Sequence, residues 1–151
     1  GYLTWLRSVV PPVASHKAAY SFEATNEPEW MLGLDSGAVT ADEAARWLDT
    51  VQSALHALGA ARVNVGGATF EAMSDAQLAL AVRHADLLDA HFYPEFDAAG
   101  APLDTDARPQ IDRFQRHIDR VAAVTARPRA AMVGEFGPLP ATAPLVSGGS
   151  T

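Results

Sequence analysis

Cysteine is absent from this chain of 151 residues. Its absence excludes disulfides, thiolate metal ligands and a cysteine nucleophile, and leaves the redox compartment open. Lysine is almost absent: Lys17 is the only one, and no glycine-rich loop precedes it. A phosphate-cradling P-loop is thereby excluded, and a Schiff-base lysine would have to be that residue. Positive charge is scarce. Eleven basic residues stand against eighteen acidic ones, a net charge of −7, which argues against a nucleic-acid partner held through phosphates. No apolar run approaches the roughly 18–20 residues of a bilayer span, so no membrane partner is expected. No basic-then-apolar signal segment opens the chain at Gly1-Tyr2-Leu3. What is plentiful is apolar: 48% of residues are hydrophobic and 19% charged, enough for a core in about one domain.

Short apolar runs alternate with longer helical patterns. Leu3, Leu6, Val9 and Val10 suit the end of a helix broken at Pro11-Pro12. Residues 17–25 read as a strand. Ala44, Leu48, Val51, Leu55 and Leu58 step by four and three, which marks one helix face. Thr40 with Glu43 predicts a capping box at its start, and Gly59 its stop. A second strand is expected over 62–67. Ser74 with Gln77 then predicts another cap, with Leu78, Ala81, Val82 and Ala85 on one side. A third strand spans 86–93, stopped by Pro94. A polar loop leads to a helix marked by Ile111, Phe114, Ile118 and Val121, and 129–136 reads as a fourth strand.

Strands separated by helices predict an α/β fold with parallel pairing and right-handed crossovers. No glycine-rich phosphate fingerprint follows any strand, which weakens a dinucleotide-binding, doubly wound sheet. Chemically capable residues sit at three strand tips: Asn26-Glu27, His91 with Tyr93, and Glu135. That placement favours a (β/α)8 TIM barrel, whose active site lies at the C-terminal face of its strands. A whole barrel takes about 250 residues, so four βα units amount to a partial one. We therefore expect a partial barrel catalytic domain over 1–137 and a Pro/Ala/Ser/Gly-rich tail over 138–151. The missing barrel strands of a longer parent chain are its expected structural partner.

Phe22-Glu23-Ala24-Thr25-Asn26-Glu27-Pro28 resembles the acid/base motif of the clan A retaining glycoside hydrolases, which include cellulases, mannanases and xylosidases. Val133-Gly134-Glu135-Phe136-Gly137 is similar to the nucleophile motif of that clan, and Asp89-Ala90-His91-Phe92-Tyr93-Pro94 to the element between them. The three occur in the clan's order, each at a strand tip, and correspond to its fourth, seventh and sixth strands. The resemblance implies a hydrolase that cleaves β-linked oligo- or polysaccharides through a covalent glycosyl-enzyme. Such chemistry needs a proton for the leaving oxygen and a nucleophile at the anomeric carbon. Two carboxyl groups about 5–5.5 Å apart supply both.

By that resemblance Glu27 is the acid/base and Glu135 the nucleophile. A charge inside the apolar run around Glu135 needs a purpose in any case. The resemblance implies that Asn26 binds the sugar 2-hydroxyl. Asp89, His91 and Tyr93 alternate and share one strand face. Tyr93 could donate to Glu135, and His91 could reach the substrate or a neighbouring carboxylate. Trp30, just past Glu27, could offer its ring to the sugar's C–H face. Trp5 and Trp47 fall in helical patterns and read as packing residues. Glu23 and Asp89 read as interior structural charges. Thr25 stands where many clan members have Trp, and the early and eighth strands are missing. The isolated chain is therefore expected to be inactive.

Rival chemistries leave weaker marks. The five histidines show no H-E-x-x-H or paired-ligand spacing, so no metal and no cofactor is expected. The alternative function is an inactive barrel fragment or a non-catalytic carbohydrate-binding or scaffold protein. Secretion is implied by the resemblance alone.

Overall fold

A computed structural model describes residues 1–34, 36–66, 73–92, 108–126 and 130–136. The chain runs α1 (Tyr2–Ala14), β1 (Phe22–Glu23), α2 (Pro28–Met31), α3 (Ala41–Ala57), β2 (Val63–Gly66), α4 (Asp75–Ala81), β3 (Leu87–Phe92), α5 (Arg108–Thr125) and β4 (Ala130–Phe136). The four strands form one parallel sheet in the order β1-β2-β3-β4. That order has no reversal, unlike the switch point of a doubly wound sheet. Right-handed crossovers between sequential neighbours put their helices on one face of the sheet.

Both predicted capping boxes are formed. Thr40 Oγ1 accepts from the Glu43 amide at 3.3 Å, and the Glu43 carboxylate accepts from the Thr40 amide at 2.9 Å. Ser74 and Gln77 do the same at the start of α4. Gly59 closes the end of α3 with φ +101°, a conformation that costs a residue with a Cβ. Glu43's carboxyl is held below the usual carboxylate range, first by the bond from the Thr40 amide and next by the Thr40 hydroxyl.

α1 departs from the expected break at Pro11-Pro12 and continues to Ala14 through both prolines. Each proline removes one helical amide, but Arg7 and Ser8, whose carbonyls lose those bonds, are exposed and reach water. β1 is also shorter than the expected 17–25. Its pairing with β2 covers only Phe22↔Val63 and Glu23↔Asn64, and residues 15–18 form a turn instead.

The core lies between the helices and one sheet face. Val63, Val65 and Leu88 from the sheet meet Leu48, Val51, Leu55 and Leu78 from α3 and α4, with Leu6 and Val10 of α1 and Val121 of α5. Gln52 is fully buried among them, and its Nε2 donates to the Ala81 carbonyl at 2.6 Å, satisfying the last residue of α4. At the N-terminal end of the sheet the Asp86 carboxylate accepts from the Val63 amide at 2.9 Å and lies 3.2 Å from His56 Nε2. His56 also meets the Ala60 and His84 carbonyls. His56 thus ties the end of α3 to the segments that lead into β2 and β3.

Candidate active site

Alternation along the strands separates two chemistries. Val63, Val65 and Leu88 face the helices; Asn64, Gly66 and Asp89 face the other way. Register aligns these residues across strands: Glu23 pairs with Asn64, and Gly66 with Asp89. A polar face results, carrying Glu23, Asn64, Asp89 and His91 on three adjacent strands.

Asp89 is its most enclosed charge, 7% exposed, and accepts from Asn64 Nδ2 at 3.2 Å. Glycines make the room. A Cβ on Gly66 would stand 2.9 Å from the Asp89 Cβ and 3.0 Å from Glu23 Oε1. A Cβ on Gly134 would collide with the Asp89 carboxylate. The aspartate thus lies between two strands that carry no side chain beside it. Asn64 went unremarked in the sequence, although its signal was there: an amide between Val63 and Val65, followed by glycine.

Glu27 lies four residues past Glu23, the last residue of β1. Its φ is +37°, in the left-handed region that residues with a Cβ rarely adopt. Pro28 after it narrows the backbone choices further. Its Oε1 lies 3.0 Å from Nδ1 of His91 on β3, whose side chain is 6% exposed against 28% for Glu27. This contact crosses two strand intervals, about 9–10 Å at ordinary sheet spacing. It passes over the end of β2, where Gly66 offers no side chain.

A register shift between Ala90 and His91 changes the pairing with β4. Ala90 pairs with Val133, but His91 pairs with Glu135, which leaves Gly134 as the extra residue of a bulge. The backbones of His91 and Glu135 thereby stand side by side. Bulges commonly re-aim side chains beside functional sites.

Of the sequence-predicted site residues, the structure brings Glu27 and His91 together. Glu135 joins them through its backbone register, while its side chain lies outside the described residues. Asn26 is exposed, and its carbonyl accepts from Thr25 Oγ1 at 3.4 Å. Trp30 lies on α2, with its side chain outside the described residues, and Tyr93 lies outside them altogether. Asp89 is buried and Glu23 is half-buried on the same sheet face. Trp5 differs from expectation: it is 55% exposed, because α1 buries only Leu6 and Val10 and turns Trp5 outward.

One further grouping escaped the sequence. Glu23, Asp89 and His91 each place one potential ligand atom within 4.8 Å of the others. Two carboxylates and an imidazole suit a divalent ion such as zinc. They equally suit a histidine that shares its proton with neighbouring carboxylates. The spacing rules missed the group because its members come from β1 and β3.

No protein-family model, no curated protein and no solved structure matches the chain.

Proposed function

We propose that this chain is the catalytic part of a retaining glycoside hydrolase on a (β/α)8 barrel, with Glu27 as general acid/base and Glu135 as nucleophile. The observation that carries the reading is Glu27 itself. It is held at φ +37° immediately before a proline, at a strand tip, with its carboxylate on a nearly buried histidine. Strain at a non-glycine residue costs on the order of 1–3 kcal/mol and persists where the surroundings over-determine it, typically at functional sites.

The chemistry follows from the two roles. Glu27 gives its proton to the glycosidic oxygen as that bond breaks. The Glu135 carboxylate attacks the anomeric carbon and forms a glycosyl ester. Glu27, now ionised, takes a proton from water, and the water oxygen displaces Glu135 from the sugar. His91 is a positioning residue that orients the Glu27 carboxyl through Nδ1. Asn26 binds the sugar 2-hydroxyl, Tyr93 steadies Glu135, and Trp30 supports the ring.

Distance sets a condition on this reading. β1 and β4 are three strand intervals apart, about 14 Å in a flat sheet. A retaining pair is about 5–5.5 Å apart. The two carboxylates must therefore converge over a curved sheet, as in a closed barrel. The Glu27–His91 contact across two intervals supports that curvature. The polar sheet face, with four ionisable or amide side chains on three adjacent strands, suits a barrel interior.

The test is hydrolysis of aryl β-glycosides, β-glucan, mannan and xylan by the full-length enzyme. Glu27→Gln should lower turnover of the polymers by about 10²–10⁴-fold, the usual worth of a general acid. It should cost less on an aryl glycoside whose leaving group departs without protonation. Glu135→Gln should abolish turnover of both, and Glu29→Gln should leave it intact. Activity surviving in Glu135→Gln, or no glycoside cut at all, would remove this mechanism.

A further inference from the structure

His56 stands in the last turn of α3, at the opposite end of the sheet from the Glu27–His91 pair. Both of its ring nitrogens meet backbone carbonyls. Nδ1 is 3.1 Å from the Ala60 oxygen, and Nε2 is 2.9 Å from the His84 oxygen. A carbonyl oxygen can only accept, so each nitrogen must bring a hydrogen if both contacts are to be bonds. A neutral imidazole has one N–H in either tautomer, whereas the imidazolium has two. The neutral ring would turn a lone pair on one carbonyl. At Nδ1 it would strand the carbonyl of Ala60, a residue only 4% exposed. At Nε2 it would oppose both the His84 oxygen and the Asp86 carboxylate.

The surroundings also favour the charged ring. Asp86 Oδ2 lies 3.2 Å from Nε2. That carboxylate is itself held, since it accepts from the Val63 amide at 2.9 Å while the Asp86 amide donates back to the Val63 carbonyl at 2.8 Å. The open carbonyls at the end of α3 add partial negative charge, which suits a cation in the last turn. Other charged groups at this end of the sheet are engaged elsewhere. Arg83 and His84 lie 3.6 and 3.5 Å from Asp49, and the Arg62 guanidinium lies over the Tyr20 ring. Past the end of α1, His16 Nδ1 accepts from the Ala18 amide. Among the described residues none of these cations pairs with Asp86, which leaves that carboxylate to His56.

We propose that His56 is a charged clasp, which as imidazolium ties α3 to the segments before β2 and β3 and slackens when it loses its second proton. The base of the sheet is thereby sensitive to pH. The inference is independent of the glycosidase reading, because it uses none of the residues at the other end of the strands. The folded joint favours the charged ring. Its stabilisation is therefore complete below the ordinary histidine range, near about pH 6.5, and is lost as pH rises beyond that range.

The test is a long-range nitrogen–proton spectrum of the imidazole rings in the whole chain at about pH 7.5, where an ordinary histidine is roughly nine-tenths neutral. His56 is assigned by its absence from His56→Gln or, if that variant does not fold, by its Overhauser contacts with Ala60. Two protonated nitrogens are expected on His56. Asp86→Asn, which keeps an oxygen for the Val63 amide but removes the charge, should move the ring toward its neutral form. Thermal melts supply the second arm, and comparison with His56→Gln cancels the other histidines. The wild type's advantage in Tm over His56→Gln should shrink by about 3–5 °C between pH 6 and pH 9, the size of one charge-assisted hydrogen bond in a domain of this length. The proposal is overturned if the folded wild type holds a neutral His56 at about pH 7.5. It is equally overturned if the advantage over His56→Gln stays constant from pH 6 to pH 9.

Discussion

Gly66→Ala is the substitution that most directly probes the polar face. The added methyl would stand 2.9 Å from the Asp89 Cβ and 3.0 Å from the Asp89 carbonyl oxygen. Carbon atoms in good contact are about 3.5–4.0 Å apart, so something must give by about 0.6 Å or more. Asp89 has little room to retreat. Its carboxylate already fills the space beside Gly134, and Asn64 holds it from β2. The relief must come from spreading β2 and β3 at the Gly66↔Asp89 pair. Overpacking of this kind costs about 1–3 kcal/mol. Removing a glycine from the unfolded chain returns about 0.4–1 kcal/mol. The net destabilisation should be about 0.5–2 kcal/mol, which lowers Tm by about 2–6 °C in a domain of this size. Urea unfolding and a thermal melt followed by circular dichroism would measure it. Paired with Asp89→Gly, which removes the opposing Cβ but not the Asp89 carbonyl, the loss from Gly66→Ala should be relieved in part, with a coupling of about 1 kcal/mol. If Gly66→Ala is as stable as wild type, or if the cycle shows no coupling, Asp89 is not confined between the two glycines as described.

Three further outcomes test other parts of the structure. Gln52→Leu keeps the volume near the core but leaves the buried Ala81 carbonyl without its donor, so the urea midpoint should fall by an amount equivalent to about 1–3 kcal/mol. Glu43's lowered pKa makes the Thr40–Glu43 capping box a source of stability that is present above the ordinary glutamate range and lost as pH falls through the lowered value. Urea midpoints measured from pH 6 down to about pH 3 should therefore lose a component in wild type that Glu43→Gln lacks. On the proposed glycosidase reading, a chelator should leave glycoside hydrolysis unchanged, because two carboxyl groups would supply both proton and nucleophile. Activity that disappears with the chelator and returns with a divalent cation would move the chemistry to Glu23, Asp89 and His91.

The order of elements was legible because each signal was local. Thr40-x-x-Glu43 and Ser74-x-x-Gln77 announced two helix starts, and both capping boxes are present. The four-and-three spacing of Ala44, Leu48, Val51 and Leu55 marked the buried face of α3, and all four are buried. What misled was context. Pro11-Pro12 lies within the last turn of α1, and the Arg7 and Ser8 carbonyls that lose their amide partners are exposed to water, so the helix ends at Ala14 and not at the prolines. The length of β1 depended on how much of β2 lay beside it, which no local pattern records. Trp5 matched a helical period, but period does not say which side of a helix has a partner. An exposed face and a packed one can carry the same spacing.

The candidate site was legible residue by residue, but not as an arrangement. Glu27 and His91 could each be singled out by type and position at a strand tip, yet their contact depends on a separation of 64 residues and on the gap above Gly66. Glu23, Asn64 and Asp89 looked like three unrelated polar residues in three apolar strands. Register joins them, because parallel pairing aligns Glu23 with Asn64 and Gly66 with Asp89. The glycines then acquire a reason. In a strand interior glycine is a loss of about 0.5–1 kcal/mol against alanine, and here Gly66 and Gly134 accept that loss on both sides of one aspartate. The bulge at Gly134 has a second consequence. Without it His91 would pair with Gly134, and Glu135 would fall opposite Phe92. The bulge therefore keeps the β4 glutamate in register with the histidine that contacts Glu27. Deleting Gly134 should remove the bulge and leave Glu135 opposite His91, because Val133 would then be followed directly by Glu135. On the proposed glycosidase reading turnover should survive that deletion; its loss would show that the bulge aims the carboxylate, and not the register alone.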